Sequence, residues 1–592
     1  MCAAPKEDVL TTEWLGHSPP YKTLTATQQE KILQDITTDE VRWSIRQSKR
    51  TKATGPDRLP NDFYRNLEEE LIPILTTVLN AWIRTGEVPR SFLHASIFPL
   101  KNVAAPNTGL DFRPLAMLNT DFKMFKRILA KKTRPLISHL IHPAQSGFVP
   151  ERSIHTTIRQ FQRAKDAVSH DDDRKDACSV QVDFKKAYDT IARGFLCASL
   201  EHLGFPEAFT TLIKALHEGT TAYCSVDGYK AQPMDVTCGI RQGCPFAPQL
   251  FVLALDSLYR RIQQHTGLHG VQLPQQDGGC LKVAGYADDT SIYLRSKAEL
   301  ATMDTILDAF AVTSGLTVNK NKTAFVNLRT DGDTTRTAYI VTPATTPTRY
   351  LGVPVATKEN RTETWHNMMH QLQVRLGMAE RKTSNVMHRI HFVKAIAILK
   401  IQFVSQHVWP TAAITRKTQK LLHHFIWSGD LQDTVVKAKY NPRLAARPAV
   451  EGGLDYPILR QLLFAQAAAV VARRHRSHQM PQPMQPSRGP ATIRKLEGDI
   501  ERVGTQVLRE YYAQRRASDE RDAIQQALQE VDSGNGPTYE WRNGHLRIDY
   551  SQWKPALDKV TAIQTQCSET QCSDGELPKH PTPTARRARA HG

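Results

Sequence analysis

The sequence predicts an α+β fold, on three observations. "CSVQVDF" (178–184) alternates apolar and polar residues with a period of two, as a half-buried strand does. "VAGYADDTSIYL" (283–294) sets two apolar, β-prone runs on either side of an Asp-Asp pair, the pattern of a hairpin. Elsewhere apolar residues recur at helical spacing. In "EEELIPILTTVLNAWIRTGEVP", Leu71, Leu75, Val78, Leu79, Trp82 and Ile83 share one stripe. With 592 residues, the chain has room for roughly three to five units of about 100–200 residues.

The elements follow in order. The first 20 or so residues read as disordered. "LTATQQEKILQDITTDEVRWSIRQSK" reads as helical, with Thr37 and Glu40 as a capping box and Ile36, Val41 and Ile45 on one face. "TKATGPDRLP" (51–60) is a turn-rich loop broken at Gly55-Pro56-Asp57. The next helix has an acidic start and a Gly86 stop. "SIFPL" (96–100) is a short strand. Residues 111–165 read as helices and loops rich in basic residues, among them Arg113, Lys123, Lys126, Arg127, Lys131, Lys132 and Arg134. After the strand at 178–184 come an amphipathic helix near 195–217, a hairpin around "VDGYK" (226–230) and a long helix after Pro248. The hairpin of 283–294 precedes a helix over 297–314. Residues 362–427 are helical and basic, "HQMPQPMQPSRGP" (478–490) is a linker, and "ARRARAHG" closes the chain as a basic tail.

Composition narrows the function classes. Lys and Arg number 77 against 59 Asp and Glu, a surplus of 18, which favours a polyanionic partner such as nucleic acid. No run of about 18 apolar residues is present, and the N-terminus shows no basic segment followed by an apolar core. The expected location is therefore intracellular, in nucleus or cytoplasm, without membrane association or secretion. The nine cysteines are scattered in apolar or Gly-rich contexts and read as reduced thiols.

The acidic residues point to chemistry. Asp288 and Asp289 repel each other, and such a pair is offset either by a bound cation or by solvent at a hairpin tip. Val180 and Val182 point into a core, so Asp183 ends its strand on the opposite face. Were that strand to lie beside the 283–294 hairpin, three carboxylates would converge. Three hard oxygen donors suit two Mg²⁺ ions about 3.5–4 Å apart, the arrangement of phosphoryl transfer. "CGIRQGCPFAPQLF" (238–251) adds a loop whose glycines permit close approach of a ligand and whose Gln242 suits a base or sugar edge. A rigid Gly/Pro loop entering a helix is the plainer reading of the same residues.

Taken together, Asp183 with its "AYD" tail, "RQGCP" and "YADD" resemble, in order and spacing, motifs A, B and C of the non-LTR (LINE-type) retrotransposon reverse transcriptases. "KATGPDRLPNDFYR" resembles the family's upstream segment. "IFPLKN", "FRPLAMLNTDFKMFKRILAKK" and "HPAQSGFVPERSIHTTI" resemble its fingers, "SGLTVNKNKT" motif D and "YLGVPV" motif E. "FIWSG" and "GGLDYP" resemble segments beyond the thumb, so the similarity spans roughly 35 to 460. The resemblance implies a right-hand polymerase fold with fingers, a palm with an antiparallel sheet, a helical thumb and a helical C-terminal region. The implied divisions are a partly disordered N-terminal extension (1–50), fingers and palm (51–357), thumb (358–430) and a basic C-terminal region (431–592).

By the same resemblance the chain is expected to copy RNA into cDNA by two-metal phosphoryl transfer, with Mg²⁺ or Mn²⁺. Its partners would be an RNA template, a DNA primer and deoxynucleoside triphosphates. Asp183, Asp288 and Asp289 match the metal-binding carboxylates, and Tyr188 matches the aromatic that packs under the sugar and rejects a 2′-hydroxyl. Lys101 and Arg113 match the residues that grip triphosphate, Arg being suited to bidentate contact. Gln242 and Gly243 match the loop against the nascent pair. Lys322, with Lys320 as rival, matches the motif D lysine, an acid for pyrophosphate. Asp189 is read as structural.

Two departures stand out. Phe246-Ala247-Pro248 replaces the family's usual Leu-Ser-Pro. Only about 50 residues precede "GPD", too few for the usual N-terminal endonuclease, so a nick would be expected from an endonuclease in trans. Cys567, Cys572 and His580 echo a zinc knuckle, but Ala585 stands where a fourth ligand would, which makes a poor zinc site. The alternatives are an inactive RNA-binding transposon relic and a group II intron-type reverse transcriptase.

Overall fold

The computed structural model describes residues 8–101, 105–169, 171–226, 229–273, 280–329, 332, 337–342, 348–355, 361–429, 431, 441–467, 538–542 and 545–549. The linker at 478–490, the Cys567, Cys572 and His580 set and the basic tail lie outside the described residues. The chain divides into two compact units, Met1–Asn360 and Arg361–Gly592.

Two five-stranded sheets organise the first unit. In one, the strand Cys178–Val182 lies between Ala324–Asn327 and Asp289–Leu294, antiparallel to both, and Val283–Tyr286 completes the hairpin at the edge. Ile340–Thr342 adds a parallel strand at the far edge. Val180, Ile292 and Phe325 are fully buried, so the period-two pattern sends these residues into the core. In the other sheet, His94–Lys101 pairs antiparallel with Phe112–Met117 and parallel with Thr221–Val226.

The helix Ala247–Gln264 starts with Pro248 in its first turn. It is buried nearly all round, its Asp256 and Arg260 forming an ion pair (2.7 Å). It packs on the helices Thr120–Leu140, Arg193–His202 and Leu300–Ser314 and touches the strand Val283–Tyr286.

Several sequence expectations need correction. The region 111–165 contains the strand Phe112–Met117 as well as helices. Its alternation is masked by Pro114, which sits opposite Pro99 on the paired strand. The helical stretch before residue 50 is two helices, Ala26–Leu33 and Thr38–Arg46, broken where Asn80 accepts from the backbone N–H of Ile36 and donates to its carbonyl. The second begins with the expected Thr37–Glu40 capping box. The segment 195–217 is likewise two helices, Arg193–His202 and Glu207–Ala215, separated at Gly204 (φ +84°) and Pro206. The N-terminus is not disordered throughout: Asp8–Gly16 is a helix with Trp14 and Leu15 buried.

The described residues of the second unit from 361 to 467 are mainly helical. Arg361–Glu380, Val386–Phe392 continued by Val393–Ile398 and Leu399–Ser405, and Ala412–Ser428 enclose Trp365, Leu372, Leu376, Ile401, Leu422 and Phe425. Thr538–Arg542 and His545–Asp549 pair antiparallel.

Candidate active site

The three aspartates gather at one end of the first sheet. Val182 pairs with Thr290 across the antiparallel ladder, so Asp183 and Asp289 are each one residue beyond that pair. Asp289 pairs with Tyr286 across the hairpin, leaving Ala287 and Asp288 as its two-residue turn. Ala287 has φ +60°, a left-handed conformation unusual for alanine. Asp183 is held from the 314–323 segment: its backbone N–H donates to Thr323 Oγ1 (3.2 Å), its carbonyl accepts from the backbone N–H of Asn319 (2.7 Å), and its Oδ2 accepts from Asn319 Nδ2 (3.1 Å).

Asp288 and Asp289 are exposed residues whose carboxyls the surrounding protein partly desolvates. That desolvation is the main reason both carboxyls are pushed above the ordinary carboxylate range, Asp289 to about 6. The negative charge of Asp183 raises both further, and Asp288 raises Asp289, whereas the guanidinium of Arg113 acts the other way on Asp288. The charges of three carboxylates therefore meet at one place. Among the described residues no three His, Cys, Asp or Glu side chains form a ready-made metal cage. Mg²⁺ rarely needs one: it is commonly held by one or two carboxylates with substrate phosphates and water. Mutually repelling, solvent-reaching oxygen donors are a donor set that such an ion fits.

The remaining candidates differ in what holds them. Tyr188 stacks on Phe251 (4.6 Å between ring centroids), and its hydroxyl is pushed up by burial and by the Asp288 charge. Arg113 is exposed on Phe112–Met117, paired opposite Leu100, and Lys101 is the next residue along the partner strand. Gln242 is tied down: its Nε2 donates to both carboxylate oxygens of Asp189 (3.0 Å each), and its carbonyl accepts from the backbone N–H of Ala116 (3.1 Å). Burial pushes the Asp189 carboxyl up, and the Gln242 bond pulls it down. Gly243 has φ +105°, and a Cβ there would approach the Ala116 carbonyl oxygen to 2.8 Å. Lys322 is exposed at the end of the turn that begins at Asn319, the partner of Asp183. Lys320 instead lines an open pocket with Asn321, Thr337 and Tyr339, which contains none of the three aspartates.

Residues 105–355 match the family described as reverse transcriptase (RNA-dependent DNA polymerase). Over this stretch the chain is similar to reverse transcriptases, and its relatives are proteins of transposable elements. Similar proteins include the transposon TX1 uncharacterized 149 kDa protein of Xenopus laevis, 23% identical over 453 residues, 73% of this chain and 33% of the relative. The RNA-directed DNA polymerase from mobile element jockey of Drosophila melanogaster is 28% identical over 291 residues, 48% of this chain and 30% of the relative. The retrovirus-related Pol polyprotein from type-2 retrotransposable element R2DM of the same fly is 23% identical over 451 residues, 73% of this chain and 40% of the relative. The chain thus spans about a third of the length of these relatives.

Within the matched region, sequence reasoning missed two residues that touch the aspartate-bearing elements. Asn319 lies in "SGLTVNKNKT", where attention fell on the lysines, yet its backbone and side chain both hold Asp183. Gln145 lies in "HPAQSGFVP". It is 1% exposed, and its side chain bonds the turn residue Ala287. A polar residue in an apolar, Gly-containing loop was the available signal, but only the fold shows what it meets.

Proposed function

We propose that this chain is an RNA-directed DNA polymerase that extends a DNA primer on an RNA template. Its first unit would supply fingers and palm and the helices from Arg361 the thumb of a right-hand fold. The observation that carries the reading is the meeting of Asp183, Asp288 and Asp289 at the end of one antiparallel sheet, where their charges act on one another.

In this reading the three carboxylates hold the reaction centre. Two divalent metal ions, Mg²⁺ or Mn²⁺, supply charge neutralisation there and lower the pKa of the attacking 3′-hydroxyl when bound. Tyr188, fixed on Phe251, packs beneath the incoming sugar and excludes a 2′-hydroxyl. Arg113 and Lys101, side by side on paired strands, grip the triphosphate. Gln242 and Gly243 line the nascent base pair. With Nε2 committed to Asp189, Gln242 offers its Oε1 as an acceptor. Lys322 donates the proton that pyrophosphate takes as it leaves.

The membrane plays no part in this proposal, and no described helix is long and apolar enough to cross one. The test is primer extension by the purified protein on an RNA template with Mg²⁺. Wild type should extend the primer, and Asp288→Asn should lose at least about 10³-fold in rate while binding template–primer as before. Template–primer binding by a folded wild type that adds no nucleotide would overturn the reading.

A further inference from the structure

We infer that Gln145 is a positioning residue for the catalytic hairpin: its side-chain amide holds the Ala287–Asp288 turn in the shape that presents Asp288 and Asp289. The inference rests on the polymerase reading above and extends it to a residue remote in sequence from all three aspartates.

The turn does not hold itself. A two-residue hairpin turn with positive φ at its first residue favours glycine there, whereas here Ala287 takes φ +60° with Asp288 after it. A conformation that the local sequence disfavours persists when its surroundings over-determine it. Gln145 does so at both peptide units that flank the Ala287 Cα. Its Oε1 accepts from the backbone N–H of Ala287 (2.8 Å) and of Gly147 (2.8 Å). Its Nε2 donates to the Ala287 carbonyl (2.9 Å) and towards Tyr259 Oη (3.3 Å). The reverse amide orientation would set N–H against N–H and oxygen against oxygen, so the bonds fix it.

The surroundings repeat the message. Ser146 N–H donates to the Gly285 carbonyl (2.8 Å), and Gly285 N–H to the Ala144 carbonyl (3.0 Å). A Cβ at Gly147 would overlap the Ala287 backbone, so the loop approaches the turn as closely as glycine allows. Tyr259 Oη also meets Thr290 Oγ1 (2.9 Å), next to Asp289. Arg152 anchors the loop from behind, donating to the carbonyls of Ser138, Ile141, His142 and Gln145. All four hydrogen bonds of one buried amide are thus made, and two go to the residue preceding the catalytic doublet.

The test compares Gln145→Met, which fills the same volume without hydrogen bonds, with Gln145→Ala and wild type. Hydrogen–deuterium exchange of the 283–294 peptide reads the hairpin whether or not the protein polymerises. It should quicken about tenfold or more in Gln145→Met, with exchange in 178–182 unchanged. Single-turnover extension per active site should fall about 10- to 100-fold, with template–primer affinity within about twofold of wild type. A role in stability alone would lower the active fraction and leave the rate per active site unchanged. Unchanged exchange in a folded Gln145→Met protein overturns the inference, as does faster exchange with a wild-type rate per active site. Should Gln145→Ala fail to fold, the Met variant decides. A wild type that binds template–primer without extending it counts against the polymerase reading, and the exchange measurement then decides the clamp by itself.

Discussion

Lys126 shows how far a residue's setting can depart from its type. It lies among the basic residues of "FKMFKRILAKK", where a solvated or phosphate-facing charge is the natural expectation. The helix Thr120–Leu140 turns it wholly inward, with Nζ 5.7 Å from the Phe122 ring and 5.8 Å from the Phe246 ring. Nζ has no hydrogen-bond partner among the described residues. Burial brings its pKa down to about 8, with Arg241 adding to the effect and Cys244 opposing it. A lysine whose folded pKa is depressed destabilises the fold wherever it must be charged. That penalty is complete below about pH 8 and fades as pH rises towards the ordinary lysine value of about 10.4. Lys126→Met should therefore stabilise the protein at pH 7 by about 1–3 kcal/mol. The gain in urea midpoint should shrink by pH 9.5, and a gain that is the same at both values would refute this account.

At the scale of elements, the hairpin Val283–Tyr286 and Asp289–Leu294 depends on closeness. A Cβ at Gly285 would overlap the Tyr259 hydroxyl, which is itself bonded to Thr290. Gly285→Ala should abolish extension and lower stability by about 2 kcal/mol or more, through overpacking. Urea unfolding with a wild-type midpoint would contradict it. Much of this element was legible. The alternation around Val180 and Val182, the hairpin around the Asp-Asp pair and the Thr37 cap are local signals, although the turn itself falls on Ala287 and Asp288. The 195–217 pattern misled because two amphipathic helices share one apolar rhythm, with only Gly204 and Pro206 to mark the break. Gln145 and Asn319 were opaque for another reason. Their partners, Ala287 and Asp183, are 142 and 136 residues away, and neither has a periodicity that announces such a bond. Of the candidate site residues, Arg113 and Tyr188 interact with the Asp288 charge, Gln242 is bound instead to Asp189, and Lys101 is placed only by its strand neighbour Arg113.

At the scale of the first unit, chain outside the matched region 105–355 belongs to the same core. Trp14 packs on Phe310 (5.3 Å between ring centroids) and its Nε1 donates to Ser257 Oγ (3.0 Å). Arg261 lies over the indole (5.8 Å), and Arg260 and Arg261 reach the carbonyls of Ser18 and His17. These bonds tie the first helix to the long buried helix that also carries Tyr259. Trp14→Ala should cost about 3–5 kcal/mol in unfolding free energy, although Trp14 touches none of the aspartates. A loss under about 1 kcal/mol would show the segment to be a loose appendage. The loop at 144–147 has a second effect, separate from chemistry. The outer strand of the hairpin ends its sheet, and an uncovered border of peptide groups invites a foreign strand to add on. Because Ala144 and Ser146 already occupy the N–H and carbonyl of Gly285, that border is sealed at its midpoint, and the segment that steadies the turn also shields the sheet from amyloid-like growth.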